Sequence, residues 1–139
     1  VTNTDAVITL NDVKIVNEDS EKILLSVCAD GWSGGKNIAT LKASKQTLAG
    51  AVKVGNDSTL NLELSDGSSF EGSVDGNISN AKGESVSTEV GTVSVTLDST
   101  STWTLSADSY VSSFNGNAAN VTANGHTLYV NGVALTGTK

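Results

Sequence analysis

Apolar side chains return at short, even intervals through the middle of the chain: Val52 and Val54, then Leu60, Leu62 and Leu64, then Phe70 with Val74, then Val93, Val95 and Leu97. A period of two puts these residues on one side of an extended backbone and predicts strands with one buried face. The breaks between them are Gly55-Asn56-Asp57-Ser58, Ser65-Asp66-Gly67-Ser68 and Asp98-Ser99-Thr100-Ser101. These are turn sequences, because Gly and Asn accept positive φ while Asp and Ser bond their own backbone.

The pattern also repeats. Gln46-Thr47-Leu48-Ala49-Gly50-Ala51-Val52 recurs in outline, 22 positions on, as Ser68-Ser69-Phe70-Glu71-Gly72-Ser73-Val74, and Ser58-Thr59-Leu60-Asn61-Leu62 recurs as Ser101-Thr102-Trp103-Thr104-Leu105. Short strands in such a repeat fit the rungs of a β-solenoid, stacked ~4.8 Å apart. The second recurrence predicts ladders with Leu60 below Trp103 and Leu62 below Leu105. The competing architecture is an antiparallel β-sandwich, which also has short alternating strands. Asn-Gly hairpin signals come only late, at Asn115, Asn124 and Asn131, and a sandwich needs no fixed period.

Toward the amino end, Ile8, Leu10, Val13 and Ile15, followed by Ile23, Leu25 and Val27, predict a first rung or two with a corner at 17–20. Residues 30–37, including Gly31-Trp32-Ser33-Gly34-Gly35-Lys36, form a glycine-rich excursion before Ile38, Thr40 and Leu41 resume the pattern. Residues 75–91 are poor in aliphatic periodicity and are expected to loop out of the stack. Val121, Leu128, Val130, Val133 and Leu135 predict the last rung.

The order ITLNDVKIVNED, DGWSGGKN, TLKASKQTLAGAVKVGNDSTLNLELSDGSSFEGSV, VSVTLDSTSTWTLSADSYVSSF and NGHTLYVNG resembles right-handed parallel β-helix domains of large bacterial surface and adhesin-like proteins. Those domains are similar in architecture to the pectate-lyase superfamily and to autotransporter passengers. The resemblance runs from about Leu10 to Gly132 and rests on packing motifs, so it implies a fold and an extracellular or cell-surface setting but no catalytic residue. It also implies the right-handed winding.

Composition narrows the functional classes. The chain has 139 residues, the size of one domain, with 37% hydrophobic, 17% charged, 14 Gly and no Pro or Met. Its formal charge is −7 and its eight basic residues are all Lys, so no basic stripe is available for a phosphate backbone and nucleic acid is excluded as a partner. No apolar run reaches the ~20 residues of a membrane span, and VTNTDAVITL lacks the order of a signal peptide. A start at Val1 fits a mature form or a fragment of a longer protein. Cys28 has no cysteine to pair with and joins no zinc-ligand cluster.

Candidate chemistry is sparse. Asp57, Glu63, Asp66, Glu71 and Asp75 are outward acids, and a carboxylate pair can hydrolyse a glycoside. An enzyme acting on uronate polymers, by resemblance, would add calcium and a basic residue, and the chain has no Arg. His126 is the only imidazole and lies near no nucleophile motif. Structural calcium would find oxygens at 55–57, 65–67 and 74–77, although neither calcium-loop signature is present. Thr100, Thr102 and Thr104 read as ordinary exposed strand positions, Cys28 as a packed apolar side chain, and Asn56, Asn77 and Asn120 as chance glycosylation matches.

Trp32 in its glycine-rich loop is the most suggestive single residue, because an exposed indole stacks on sugars or on a partner's apolar surface. The expected ligand-binding set is Trp32 with Gly31, Gly34, Gly35 and Lys36. The sequence is thus read as a single parallel β-helix domain of about six rungs, a structural and adhesive segment displaying loops to carbohydrate or protein. It is read as non-enzymatic, with no cofactor and no membrane span, and with ends that either pair end to end between copies or are covered by irregular chain. The alternatives are a fragment of a polysaccharide lyase or hydrolase and an inert spacer.

Overall fold

The computed structural model describes residues 1–29 and 35–139. The strands of its first half are β1 (Thr4–Asn11), β2 (Ile23–Val27), β3 (Asn37–Ser44), β4 (Thr47–Ala49), β5 (Ala51–Val54), β6 (Thr59–Ser65), β7 (Ser69–Gly72) and β8 (Val74–Asp75). There follow β9 (Ile78–Ser79), β10 (Ser85–Ser87), β11 (Thr92–Leu97), β12 (Thr102–Leu105), β13 (Ser109–Val111), β14 (Ser113–Asn115), β15 (Val121–Thr122), β16 (Leu128–Val130) and β17 (Val133–Ala134). The only helical element among the described residues is a 3-10 turn at Ala118–Asn120.

The protein is all-β and its sheets are mostly parallel. One sheet has the order β1-β3-β6-β11-β14, a second β15-β12-β7-β4, a third β2-β5-β8 and a fourth β13-β16-β17. Among the described residues only β9–β10 and β16–β17 pair antiparallel, so the register excludes the antiparallel sandwich. From β3 onward the chain visits the sheets in a fixed rotation, and the Val74 N–H donates to Ser109 Oγ at 3.0 Å, laying β8 beside β13. The five-stranded sheet is entered five times, one fewer than the rung number expected from sequence.

Alternation explains why these segments are strands. In β6 the residues Leu60, Leu62 and Leu64 are buried while Glu63 is exposed, and β11 repeats the arrangement with Val93, Val95 and Leu97. The inward sets join one aliphatic cluster with Leu48, Val52, Phe70, Trp103 and Leu105, so burial of apolar area drives the stacking. Corners bury polar residues as well: Ser68, Ser101 and Ser109 are fully enclosed. Ser68 Oγ accepts the Gln46 N–H at 3.0 Å and donates to the Ser65 carbonyl at 2.7 Å. Among the described residues no buried side-chain nitrogen or oxygen lacks a partner.

The 22-residue repeat is present as register, with Leu48 opposite Phe70 and Val52 opposite Val74. The expected ladder of Leu60 below Trp103 is not. Leu60 lies between Ala39 and Val93, Leu62 lies between Leu41 and Val95, and Trp103 lies between Phe70 and Val121. The two look-alike segments belong to different sheets, because similar strand sequences share an inward phase without sharing a side of the stack.

Other departures lie at the margins. Val13 and Ile15 are exposed and fall in an irregular segment between β1 and β2. Residues 76–91 carry the antiparallel β9–β10 pair, and across this stretch the offset between stacked residues grows from 22 to 33. At the far end the Lys139 N–H donates to the Val121 carbonyl at 2.9 Å and the Ala123 N–H to the Lys139 carbonyl at 2.8 Å, so irregular chain covers the β15 edge.

Candidate functional site

Of the expected binding set, Gly31, Trp32 and Gly34 lie outside the described residues. Gly35 and Lys36 are exposed, and a Cβ at Gly35 would run into the Asn3 side chain. Nearby, the Asn37 side-chain oxygen accepts the Asn3 N–H at 2.7 Å, tying the return leg of that loop to the amino end.

The outward acids do not gather. Asp66 accepts the Ser44 hydroxyl at 2.6 Å, and Asp75 Oδ1 accepts the Asn77 N–H at 2.9 Å while the carboxylate pairs with Lys53 Nζ at 2.9 Å. Asp57 and Asp66 sit at φ 60° and 54°, as corner residues. Among the described residues no three Asp, Glu, His or Cys side chains are grouped to hold a metal. His126 Nδ1 is 3.9 Å from Asp108 Oδ1, which itself accepts the Thr127 N–H, and no hydroxyl is hydrogen-bonded to the ring among the described residues. Cys28 is buried against Ser26 Oγ at 3.8 Å. Thr100 supports a corner, bonding Asp98 through both its N–H and its hydroxyl.

Asp98 is the one carboxylate among the described residues whose ionisation is clearly displaced. The Thr100 hydroxyl first, then the Asp66 N–H, the Ser101 hydroxyl and the Thr100 N–H hold it well below the usual carboxylate range, partly opposed by desolvation. These bonds run between neighbouring corners, so the displacement belongs to the scaffold.

Two concavities stand out among the described residues. The larger, about 880 Å³, lies between the irregular 12–22 segment and β4, and is walled by Val13, Ile15, Lys22, Lys45, Thr47 and Glu71. The segment is held at its two ends, by the Asp12 N–H bond to the Ser44 carbonyl at 3.1 Å and the Gln46 amide on Val13 at one and by the Ala51 N–H bond to the Lys22 carbonyl at 2.8 Å at the other, and the concavity lies between them. The smaller, about 460 Å³, lies where β8 meets the 88–90 stretch and is lined by Asp75, Gly76, Asn77, Thr88, Glu89 and Tyr110. Gly76 is required there, since a Cβ would strike the Glu89 and Val90 backbone.

Tyr110 and Tyr129 stand opposite each other on β13 and β16 and stack with ring centroids 5.2 Å apart, inclined by 7°. Tyr110 is 41% exposed. The tyrosine pair was not singled out in the sequence, whereas the stretch that walls the cleft lies within the 75–91 excursion expected there. The signal available was Ser109-Tyr110-Val111 against Leu128-Tyr129-Val130, two short strands with Tyr in the same phase.

No family model, no curated protein and no solved structure matches the chain. No helix among the described residues is long and apolar enough to cross a membrane, which leaves strands untouched as a question.

Proposed function

We propose that the chain is a right-handed parallel β-helix serving as a structural and adhesive segment of a bacterial cell-surface or secreted protein, with side faces that meet carbohydrate or protein. The single observation that carries the reading is the repeated parallel register: β3, β6 and β11 align residue for residue, inward positions aliphatic and outward positions polar apart from Ile38. Such a stack is stiff and presents outward side chains in rows at ~4.8 Å spacing, as display requires and catalysis does not. Right-handed winding follows the strong preference of parallel strand connections. The dispersed acids and the absence of Arg favour display over the lyase or hydrolase alternative.

The test is adhesion of beads coated with the folded protein to a glycan array and to host-cell protein arrays, with product release from the same glycans measured alongside. Saturable retention without product supports the display reading. Release of saccharide fragments supports the enzyme alternative, and inertness in every arm supports the spacer.

A further inference from the structure

The outward row on one side of the stack runs Lys53, Asp75, Tyr110, Tyr129. Lys53 pairs with Asp75 on β5 and β8, Tyr110 pairs with Tyr129 on β13 and β16, and the Val74–Ser109 bond joins the two halves. Tyr129 therefore covers one face of the Tyr110 ring, and the opposite face points toward β8. That side holds the 460 Å³ cleft, in which Tyr110 is the only aromatic side chain among the described residues.

The polar groups around that face are of a particular kind. Asp75 is already neutralised by Lys53 at 2.9 Å. Asn77, Thr88 and Glu89 are exposed and offer an amide, a hydroxyl and a carboxylate. Gly76, pressed against the Glu89–Val90 backbone, keeps the wall carrying these groups close to β8. A flat aromatic face beside uncommitted hydrogen-bonding groups matches the two sides of a pyranose, whose C–H face stacks and whose hydroxyls bond. The chain's net charge of −7 and the Glu89 carboxylate disfavour acidic sugars.

The geometry points to the Tyr110 cleft as a binding subsite for one residue of a neutral polysaccharide. Tyr110 supplies the stacking platform, backed and oriented by Tyr129, and Asn77, Thr88 and Glu89 supply the hydroxyl contacts. This rests on the display reading and goes beyond it, because it names a cleft and a stacking residue, Tyr110, that the expected binding set does not contain.

The experiment is titration of the isotopically labelled full chain with cello-, manno- and galacto-oligosaccharides, with oligogalacturonate as the acidic control, followed by amide NMR. Expected are saturable shifts at Asn77, Thr88, Glu89 and Tyr110 with at least one neutral series and none with oligogalacturonate. Tyr110→Ala should weaken binding by about tenfold or more, while Tyr110→Phe stays within about threefold, since stacking needs the ring and not the hydroxyl. Glu89→Ala, on an exposed side chain, gives a second variant whose fold is not at risk and should also weaken binding. Shifts confined to other parts of the chain, or equal binding by Tyr110→Ala, overturn the site while leaving the display reading intact. Absence of any shift with every neutral series overturns the site, and the protein-array arm of the adhesion test then decides the display reading separately.

Discussion

Trp103 lies over Phe70 with ring centroids 5.4 Å apart and an interplanar angle of 26°, and its Nε1–H donates to the Gly72 carbonyl at 3.0 Å. Both rings are fully buried. The pair clamps β12 onto β7 beyond the hairpin insertion, where the stacking offset has lengthened to 33 and local sequence no longer guides register. Trp103→Ala should therefore lower unfolding free energy by about 3–5 kcal/mol. Trp103→Phe keeps the ring contact and loses the indole bond, and should cost about 1–2 kcal/mol, since the Gly72 carbonyl still accepts the Ser106 N–H. Urea unfolding of the two variants checks the order.

Gly72 is needed because of the backbone and the ring packed beside it. A Cβ there would collide with the Gly50 carbonyl and the Phe70 ring. Gly72→Ala should cost about 1–3 kcal/mol or more from overpacking. Gly67 is the contrasting case, at φ +76° with nothing within 4 Å of its missing Cβ. Gly67→Ala should cost about 1 kcal/mol from backbone strain alone, and Gly67→Asn less, since Asn accepts positive φ. Equal thermal shifts for Gly67→Ala and Gly72→Ala would contradict this division.

How far the sequence reveals this arrangement depends on the kind of information. Which side chains face inward was legible, because burial alternates with the pleat: Leu60, Leu62 and Leu64 in, Glu63 out. Which strand stacks on which was legible only where the repeat stays at 22, as for Leu48 under Phe70. For Trp103 it was not, since Ser101-Thr102-Trp103-Thr104-Leu105 resembles Ser58-Thr59-Leu60-Asn61-Leu62 in phase, and only the number of intervening corners tells their sheets apart. The Tyr110 cleft was less legible still. It arises from the meeting of β8, β13 and the 88–90 stretch, which no local pattern brings together.

Gln46 is 2% exposed, and its amide bonds both the N–H and the carbonyl of Val13. One side chain thus does for Val13 what a strand partner would do, next to the Asp12 N–H bond to the Ser44 carbonyl. Gln46→Leu should cost about 1–2 kcal/mol, with amide exchange accelerated at Val13 and unchanged at Leu62. Unaltered protection at Val13 would show that the segment is held by something else.

Among the described residues the outer edge of β1 has no strand partner over Thr4–Asn11, Val7 is 65% exposed, and Asp5 is the only charge in the strand. An edge without Lys, Pro or a bulge invites pairing. Sedimentation should show concentration-dependent association of the protein, and Val7→Lys should move it toward monomer. A monomer at every concentration for the unaltered protein would remove end-to-end association from the proposal.

Asp98 binds the corner at 98–101 to the corner beneath it: its Oδ1 accepts from Thr100 and Ser101, and its Oδ2 from the Asp66 N–H at 3.0 Å. Because these donors hold the folded carboxyl below its unfolded value, led by the Thr100 hydroxyl, the unfolded chain takes up this proton first as pH falls. The stabilisation is therefore complete above the ordinary Asp range, about pH 4, and declines as the medium is acidified from there toward the folded pKa. Asp98→Asn removes the charge while keeping one acceptor. It should melt lower than the unaltered protein at neutral pH, and the gap should narrow as pH drops below about 4. A gap that stays constant down to pH values well below that range would assign the loss to lost hydrogen-bond geometry and not to the displaced ionisation.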